Sequence, residues 1–273
     1  MRPNYNEANL LERIEANLRG AATATVFVAD LDYNAKGQRE RIAYGNGVVT
    51  TYAYDPLTFR LTRLCTVRNG GDVLQDLSYT YDPAGNITHL RDDAQQTVYF
   101  NNTAVEPHAE YTYDGIYRLI EATGREHIGQ SNLPVPTSWD DAPRVRLPHP
   151  HDGQAMRRYL ERYEYDPVGN FLKLIHQALN GSWTREYAYE EPSPRDRQKV
   201  SNRLSRTTVG NVTATYSHDA HGNMTRMPHL PLMGWDFKDE LQTTAQQVVN
   251  NGGTPETTWY VYDAAGQRVR KVS

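Results

Sequence analysis

The residues best equipped for chemistry are few and scattered. His149-Pro150-His151-Asp152 brings two imidazoles and a carboxylate together, the donor types that hold zinc. The proline turns the two imidazoles apart, however, and no further His or Cys follows at zinc-site spacing, so the motif reads as a surface loop. Arg125-Glu126-His127 sets a carboxylate beside an imidazole, the pairing that general acid–base catalysis uses, but its place suits a solvated strand end. Cys65 is the single cysteine, which excludes an intramolecular disulfide; it reads as a core thiol in a strand from Leu61 to Val67. Aspartates recur along the chain, yet each group offers one carboxylate, not the dense Asp-x-Asp-x-Asp ladder of a calcium loop. There is no Gly-x-Ser-x-Gly elbow, P-loop or dinucleotide fingerprint, and Ser and His residues show no triad arrangement. The sequence therefore gives grounds for no catalytic residue, no cofactor and no metal.

The neighbours of the aspartates show what these residues are for. Tyr79-Thr80-Tyr81-Asp82-Pro83-Ala84-Gly85-Asn86-Ile87 reads as a strand, a tight turn and the entry to a second strand. Tyr-Thr-Tyr fits the two-residue pleat; Asp and Pro open a turn, and Gly and Asn tolerate the positive φ that closes a hairpin with a bulge. The unit recurs at Tyr5, Tyr33, Tyr54, Tyr113, Tyr165, Tyr189, His218 and Tyr262, with a variant at Trp235. One turn type is Asp-x-x-Gly-[Asn/Gln]: Asp82, Gly85 and Asn86; Asp166, Gly169 and Asn170; Asp219 and Gly222; Asp263 and Gly266, with a relative at Asn34. The other puts a different residue in the Gly position ahead of Arg-Leu or Glu-Leu, at Asp114–Leu119 and Asp236–Leu241, with a one-residue-longer form at Asp55–Leu61. Apolar residues enter the next strand: Ile87, Leu119, Phe171, Met224, Leu241 and Val269. The copies at Tyr5, Tyr33 and Tyr189 have lost part of the pattern. The spacing is irregular, which fits successive hairpins of unequal arm length better than a solenoid of fixed coil.

The fold class is thus all-β: a strip of consecutive antiparallel hairpins forming a curved sheet, over one domain spanning residues 1–273. Residues 7–19 place Leu10, Leu11, Ile14 and Leu18 at helical spacing but also alternate as a strand, which the phase of Tyr5 favours. Gly45-Asn46-Gly47, Asn69-Gly70-Gly71 and Asn101-Asn102 are further hairpin turns. A Pro-rich insertion at 124–158 carries Pro134, Pro136, Pro143, Pro148 and Pro150, with a short helix from Gly153 to Leu160. Polar loops are read at residues 190–202 and 249–256.

Composition narrows the partners. With 29 basic and 33 acidic residues the formal charge is -4, too mild to imply nucleic acid or an anionic membrane. No apolar run is long enough to span a membrane, and no signal peptide is visible at Met1. The 19 tyrosines outnumber Phe, Trp and Met together; their rings bury apolar area while keeping a polar tip, which suits thin walls rather than a thick dry core. A Tyr-lined face is also able to stack sugar rings, with Tyr81, Tyr113 and Tyr165 as the stacking residues, although adjacent hairpins align tyrosines into ladders without any ligand.

These units resemble the YD-repeat (Rhs) family. Tyr79–Ile87, Tyr163-Glu164-Tyr165-Asp166-Pro167-Val168-Gly169-Asn170 and Tyr260-Val261-Tyr262-Asp263-Ala264-Ala265-Gly266-Gln267-Arg268 carry the likeness over nearly the whole chain. Tyr54–Leu61 and Trp235–Leu241 are similar to the B and C components of insecticidal toxin complexes and to SpvB-like proteins. The resemblance implies a strip wound into a hollow shell that encloses a toxin domain, secreted or delivered to the cell exterior with a toxin complex. Its partners would be other shell segments or toxin-complex subunits and the enclosed toxin polypeptide. In such proteins a core region beyond the repeats cuts the toxin free with aspartates; no such region is expected within this chain, so no catalytic role is carried over. The function expected is a non-enzymatic scaffold, with a carbohydrate-binding surface module, or an enzyme hidden in the 124–158 insertion, as the alternatives.

Overall fold

The computed structural model describes residues 1–129 and 152–273. Period-2 alternation of half-buried and exposed residues makes these segments strands, and the Asp, Asn and Gly positions turn the chain between them. The first half runs through β1 (Arg2–Tyr5), β2 (Leu11–Ala16), β3 (Thr25–Tyr33), β4 (Arg39–Tyr44), β5 (Val48–Tyr54), β6 (Leu61–Arg68), β7 (Asp72–Tyr81), β8 (Ile87–Asp92), β9 (Val98–Phe100), β10 (Thr103–Val105), β11 (His108–Tyr113), β12 (Leu119–His127) and β13 (Met156–Tyr165). It continues through β14 (Phe171–Gln177), β15 (Trp183–Ala188), β16 (Arg206–Val209), β17 (Val212–Thr215), β18 (Ser217–His218), β19 (Met224–Arg226), β20 (Leu232–Trp235), β21 (Leu241–Ala245), β22 (Thr257–Tyr262) and β23 (Arg268–Val272). Among the described residues there is no α-helix; single 3-10 turns stand at Leu18–Gly20 and Leu179–Gly181.

The main sheet has 15 strands in the order β1 to β8, then β11 to β17, and it is not closed. Neighbours pair antiparallel. The order departs from the sequence once, where the hairpin β9–β10 is set aside and β8 pairs with β11. Two smaller sheets follow: β18–β19, and β20 to β23. The chain divides into two compact units: Met1–His127 with Asp152–Leu160, and Ile128–His151 with Glu161–Ser273. In the first unit the buried apolar residues include Leu31, Ile42, Val105, Ala122 and Ala155; in the second they include Ala178, Met233 and Ala245. Val105 is the largest wholly buried side chain among the described residues. Small residues dominate this set, as expected of sheets whose strands are half-buried rather than sandwiched around a thick core.

Two sequence expectations fail near the insertion. Strand β12 runs on to His127, and β13 starts at Met156, so both ends of the 124–158 stretch are strand. The helix expected from Gly153 to Leu160 is replaced by β13, where Tyr159, Tyr163 and Tyr165 fall on alternating positions and ladder pairing overrides local helix propensity. Pro134, Pro136, Pro143, Pro148 and Pro150, and with them His149 and His151, lie outside the described residues. At the N-terminus the strand reading holds: β2 covers Leu11–Ala16 and pairs with β1 and β3.

Candidate functional site

The repeated turn is one structure used many times. At Asp82 the backbone N–H donates to the Asn86 carbonyl at 2.9 Å, and the Gly85 N–H donates back to the Asp82 carbonyl at 3.1 Å. The Asp82 carboxylate caps the loop: Oδ1 accepts from the N–H groups of Gly85 (2.7 Å) and Asn86 (2.9 Å), and Oδ2 from the Asn86 side-chain amide at 2.7 Å. The same pair of backbone bonds closes turns at Asn6, Asn34, Asp55, Asp114, Asp166, Asp219, Asp236 and Asp263, the one at Asp55 being a residue longer. In each, the turn's Asp or Asn side chain accepts from backbone N–H groups of its own loop. The two turn types of the sequence are therefore one geometry. What differs is the residue at positive φ: Gly85, Gly169 and Gly222 lie at 111°, 98° and 102° and Gly37 and Gly266 at 76°, whereas Phe59, Tyr117 and Asp239 stay near the left-handed helical value at 60°, 66° and 62°. Asn86 was expected to share the positive φ; it works instead through its side-chain amide. Asn6 and Asn34 show that the copies at Tyr5 and Tyr33 keep the full turn, with an amide in place of the carboxylate.

In six copies the aromatic before the turn fastens one hairpin to the one before it. The Tyr81 hydroxyl donates to the Leu61 carbonyl at 2.7 Å, Tyr33 to Leu11 at 2.7 Å, Tyr54 to Arg39 at 2.7 Å, Tyr113 to Ile87 at 2.9 Å and Tyr262 to Leu241 at 2.9 Å. Trp235 does the same through its indole N–H, 2.8 Å from the Met224 carbonyl. Each acceptor is the first residue of the strand that follows the preceding turn. Burial pushes the phenols of Tyr54, Tyr81 and Tyr113 above their ordinary value. A second fastening runs from turn to turn. Arg60 donates to the carbonyls of Asp82 (2.8 Å) and Pro83 (3.1 Å), Arg203 to those of Asp219 (2.9 Å) and Ala220 (3.0 Å), and Gln38 to that of Phe59 (2.9 Å).

Hydrogen bonds set the electrostatics of these turns. The Asn86 amide holds the Asp82 carboxyl below its usual range, and the Arg118 backbone N–H does the same for Asp114. At Asp166 and Asp219 desolvation raises the value, but hydrogen bonds from Asn170 and Asn223 outweigh it. These carboxylates are fixed acceptors inside their loops, a structural use of charge rather than a poised proton donor.

The other sequence candidates are dispersed. Arg125 reaches the Gln96 carbonyl (3.1 Å), Glu126 pairs with Arg157 (2.7 Å) and His127 contacts the Asp152 carbonyl (3.1 Å), so each of the three is directed to a different partner. Glu126 is buried, at 7 % exposure, and not on a solvated strand end. Cys65 lies half-buried in β6. Among the described residues no cluster of His, Cys, Asp or Glu is arranged to hold a metal, and no helix is long and apolar enough to cross a membrane. Of the tyrosines read as sugar-stacking, Tyr81 and Tyr113 carry the hydroxyl bonds just described, and Tyr165 packs against Phe171 with ring centroids 4.7 Å apart. Arg60, Arg203 and the acceptor carbonyls are the functional features that sequence reasoning missed. Their signal was present as the Arg-Leu and apolar strand-entry positions, which were read only as the end of a turn and the entry to the next strand.

No family model matches the chain. It is similar to two toxin subunits of Yersinia entomophaga, YenC1 (34% identical over 98% of the chain) and YenC2 (34% over 91%), and spans about a quarter of their length (27% and 25%). Among solved structures it is similar to a TcdB2-TccC3-Cdc42 crystal structure, with a TM-score of 0.72 and 32% identity over 99% of the chain and 12% of that one. A Photorhabdus luminescens Tc holotoxin pore carrying TccC3 gives a TM-score of 0.72 and 33% identity, again over 99% of this chain and 12% of that one.

Proposed function

We propose that this chain, a member of the YD-repeat (Rhs) family similar to part of toxin-complex subunits, forms a section of a shell wall that encloses a toxin polypeptide. On this reading it works as a non-enzymatic scaffold, its partners are other shell segments or toxin-complex subunits, and it reaches the cell exterior with the complex. The observation that carries the reading is the hairpin-to-hairpin fastening. Six pre-turn aromatics, Tyr33, Tyr54, Tyr81, Tyr113, Trp235 and Tyr262, bond the backbone of the previous hairpin, which supports a wall built by neighbour contacts, with the turn carboxylates serving as acceptors inside their own loops. The similarity to YenC1 and to the TcdB2-TccC3 structures supports the toxin-complex setting.

The test is a chimaera in which this chain replaces the matching stretch of YenC1. Its expected behaviour is assembly into a closed particle that protects the remainder of the subunit from added protease. A chimaera that folds but leaves the rest of the subunit as protease-sensitive as the isolated segment would overturn the reading. Carbohydrate binding is an outcome of the same work: a glycan array probed with the chain and with Tyr165→Ala is expected to stay blank for both, and binding lost in the variant would replace the scaffold by a sugar module.

A further inference from the structure

Among the hairpins that carry the Asp turn, residues 217–226 are held differently from the rest. We propose that this hairpin, β18–β19, is a panel latched by side chains, which opens as a unit while the strands on either side stay folded. The inference does not depend on the enclosure of a toxin.

The backbone is the first reason. β18 and β19 pair only with each other, at Ser217↔Arg226 and His218↔Met224, whereas β13–β14 continues into β15 and β20–β21 continues into β22. On the upstream side, where a strand would pair, the chain is the irregular loop of residues 190–205. That loop closes on itself through the Pro192↔Val200 bridge and the Ser193 N–H to Lys199 carbonyl bond of 2.7 Å. Its backbone reaches only the entry to the hairpin, where Ser205 accepts from the Tyr216 N–H at 3.0 Å. On the downstream side Pro228 lies within the turn closed by the Met227↔Leu230 bridge and Pro231 follows it before β20; neither has an N–H to donate. A two-stranded hairpin without neighbours is marginal on its own in water.

Side chains therefore hold it. Upstream, Arg203 donates to the carbonyls of Asp219 (2.9 Å) and Ala220 (3.0 Å), and the His218 Nδ1 lies 2.9 Å from Glu191 Oε1. Downstream, Trp235 donates to the Met224 carbonyl (2.8 Å), and Asp239 Oδ1 takes both the Asn223 amide (2.7 Å) and His221 Nδ1 (2.8 Å). Asp239 is thus the hub of the downstream latch, and those two partners hold its carboxyl below the usual range. Opening the hairpin breaks these contacts and no ladder bond, so its opening is uncoupled from that of β16 and β21.

The chain supplies its own control. The turn at Asp166 has the same internal bonds as the turn at Asp219: 2.9 and 3.0 Å from the Asp N–H, 3.1 and 3.2 Å from the Gly N–H. Any difference in protection between the two turns reports on their surroundings. Hydrogen exchange read by mass spectrometry on the full chain at pH 7 should show residues 217–226 exchanging about tenfold faster than residues 163–172. Asp239→Gly removes the downstream acceptor at a position whose φ of 62° suits glycine, and Glu191→Ala removes the acceptor of His218. Each should raise exchange in 217–226 by about a further tenfold and leave β16 and β21 unchanged. Equal protection of the two turns would overturn the proposal. So would variants without effect on 217–226, or variants that raise exchange equally in β16 and β21.

Discussion

Gly85 tests the coupling between neighbouring turns. It sits at φ 111°, and a Cβ added there would lie 3.0 Å from Arg60 Nη2 and 3.2 Å from Cζ. Gly85→Ala therefore acts twice. It forces an L side chain into strained backbone, at a cost of about 1–3 kcal/mol. It also contests the space of the Arg60 guanidinium, whose two bonds to the Asp82 and Pro83 carbonyls contribute about 1–2 kcal/mol, since one of them is exposed. The sum is about 2–5 kcal/mol for Gly85→Ala and about 1–2 kcal/mol for Arg60→Ala. In the double variant the clamp is already gone, so the two costs should fall short of additive by about 1 kcal/mol. Urea unfolding followed by far-ultraviolet circular dichroism on all four corners of the cycle gives the coupling directly. Gly169→Ala is the strain-only reference, because its φ is 98° and nothing lies within 4 Å of the added Cβ. Full additivity in the Arg60 cycle would refute the coupling of turn to turn, and an unchanged stability for both glycine variants would refute the strained turn itself.

Three further outcomes follow from the same geometry. Tyr81→Phe removes only the bond to the Leu61 carbonyl and should cost about 0.5–1.5 kcal/mol in urea unfolding, whereas Tyr99→Phe, at a ring 76% exposed, should change it by less than about 0.5 kcal/mol. The turn carboxylates of Asp55, Asp82, Asp114, Asp166 and Asp219 are depressed in the folded chain, so their contribution is present above the unfolded carboxylate value of about 4 and is lost as pH falls through the lower folded values. Thermal unfolding should accordingly be level from pH 7 to about 5 and drop steeply below about 4, and Asp82→Asn, which copies the native Asn34 turn, should flatten that drop. Arg157→Ala removes the guanidinium that lies 2.7 Å from the buried Glu126 carboxylate and should cost about 3–5 kcal/mol, while Glu126→Gln combined with Arg157→Met should recover most of it in the same unfolding assay.

The turns were legible because their chemistry is local. An Asp that caps its own loop and a Gly at positive φ act within five residues, so Tyr81-Asp82 to Asn86 announced both its hairpin and its register. Tyr5 and Tyr33 looked degraded because Asn was scored as a loss, whereas an amide oxygen accepts the same backbone bonds as a carboxylate. The strand at Tyr163–Tyr165 was legible from its turn, but its start at residues 156–160 was hidden by charged residues with good helix propensity, and only pairing with neighbours decides such a segment. The burial of Glu126 was unreadable for the same reason: Arg157 lies 31 residues away, and nothing near Glu126 in sequence marks its partner. The clamps of Arg60 and Arg203 join residues 16 to 23 positions apart, beyond the reach of any motif confined to one hairpin.

The aromatic fastenings have a consequence for how the chain is made. The six span between 11 and 26 residues, so each donor meets its acceptor as soon as one more hairpin has left the ribosome. Contacts of such short range favour fast, ordered folding and spare early strands a long wait for distant partners. Arg158 reaches back 50 residues to the His108 carbonyl, so that bond closes only after a much longer stretch has been made. The six aromatic fastenings let the hairpins join one after another in the order in which they are made.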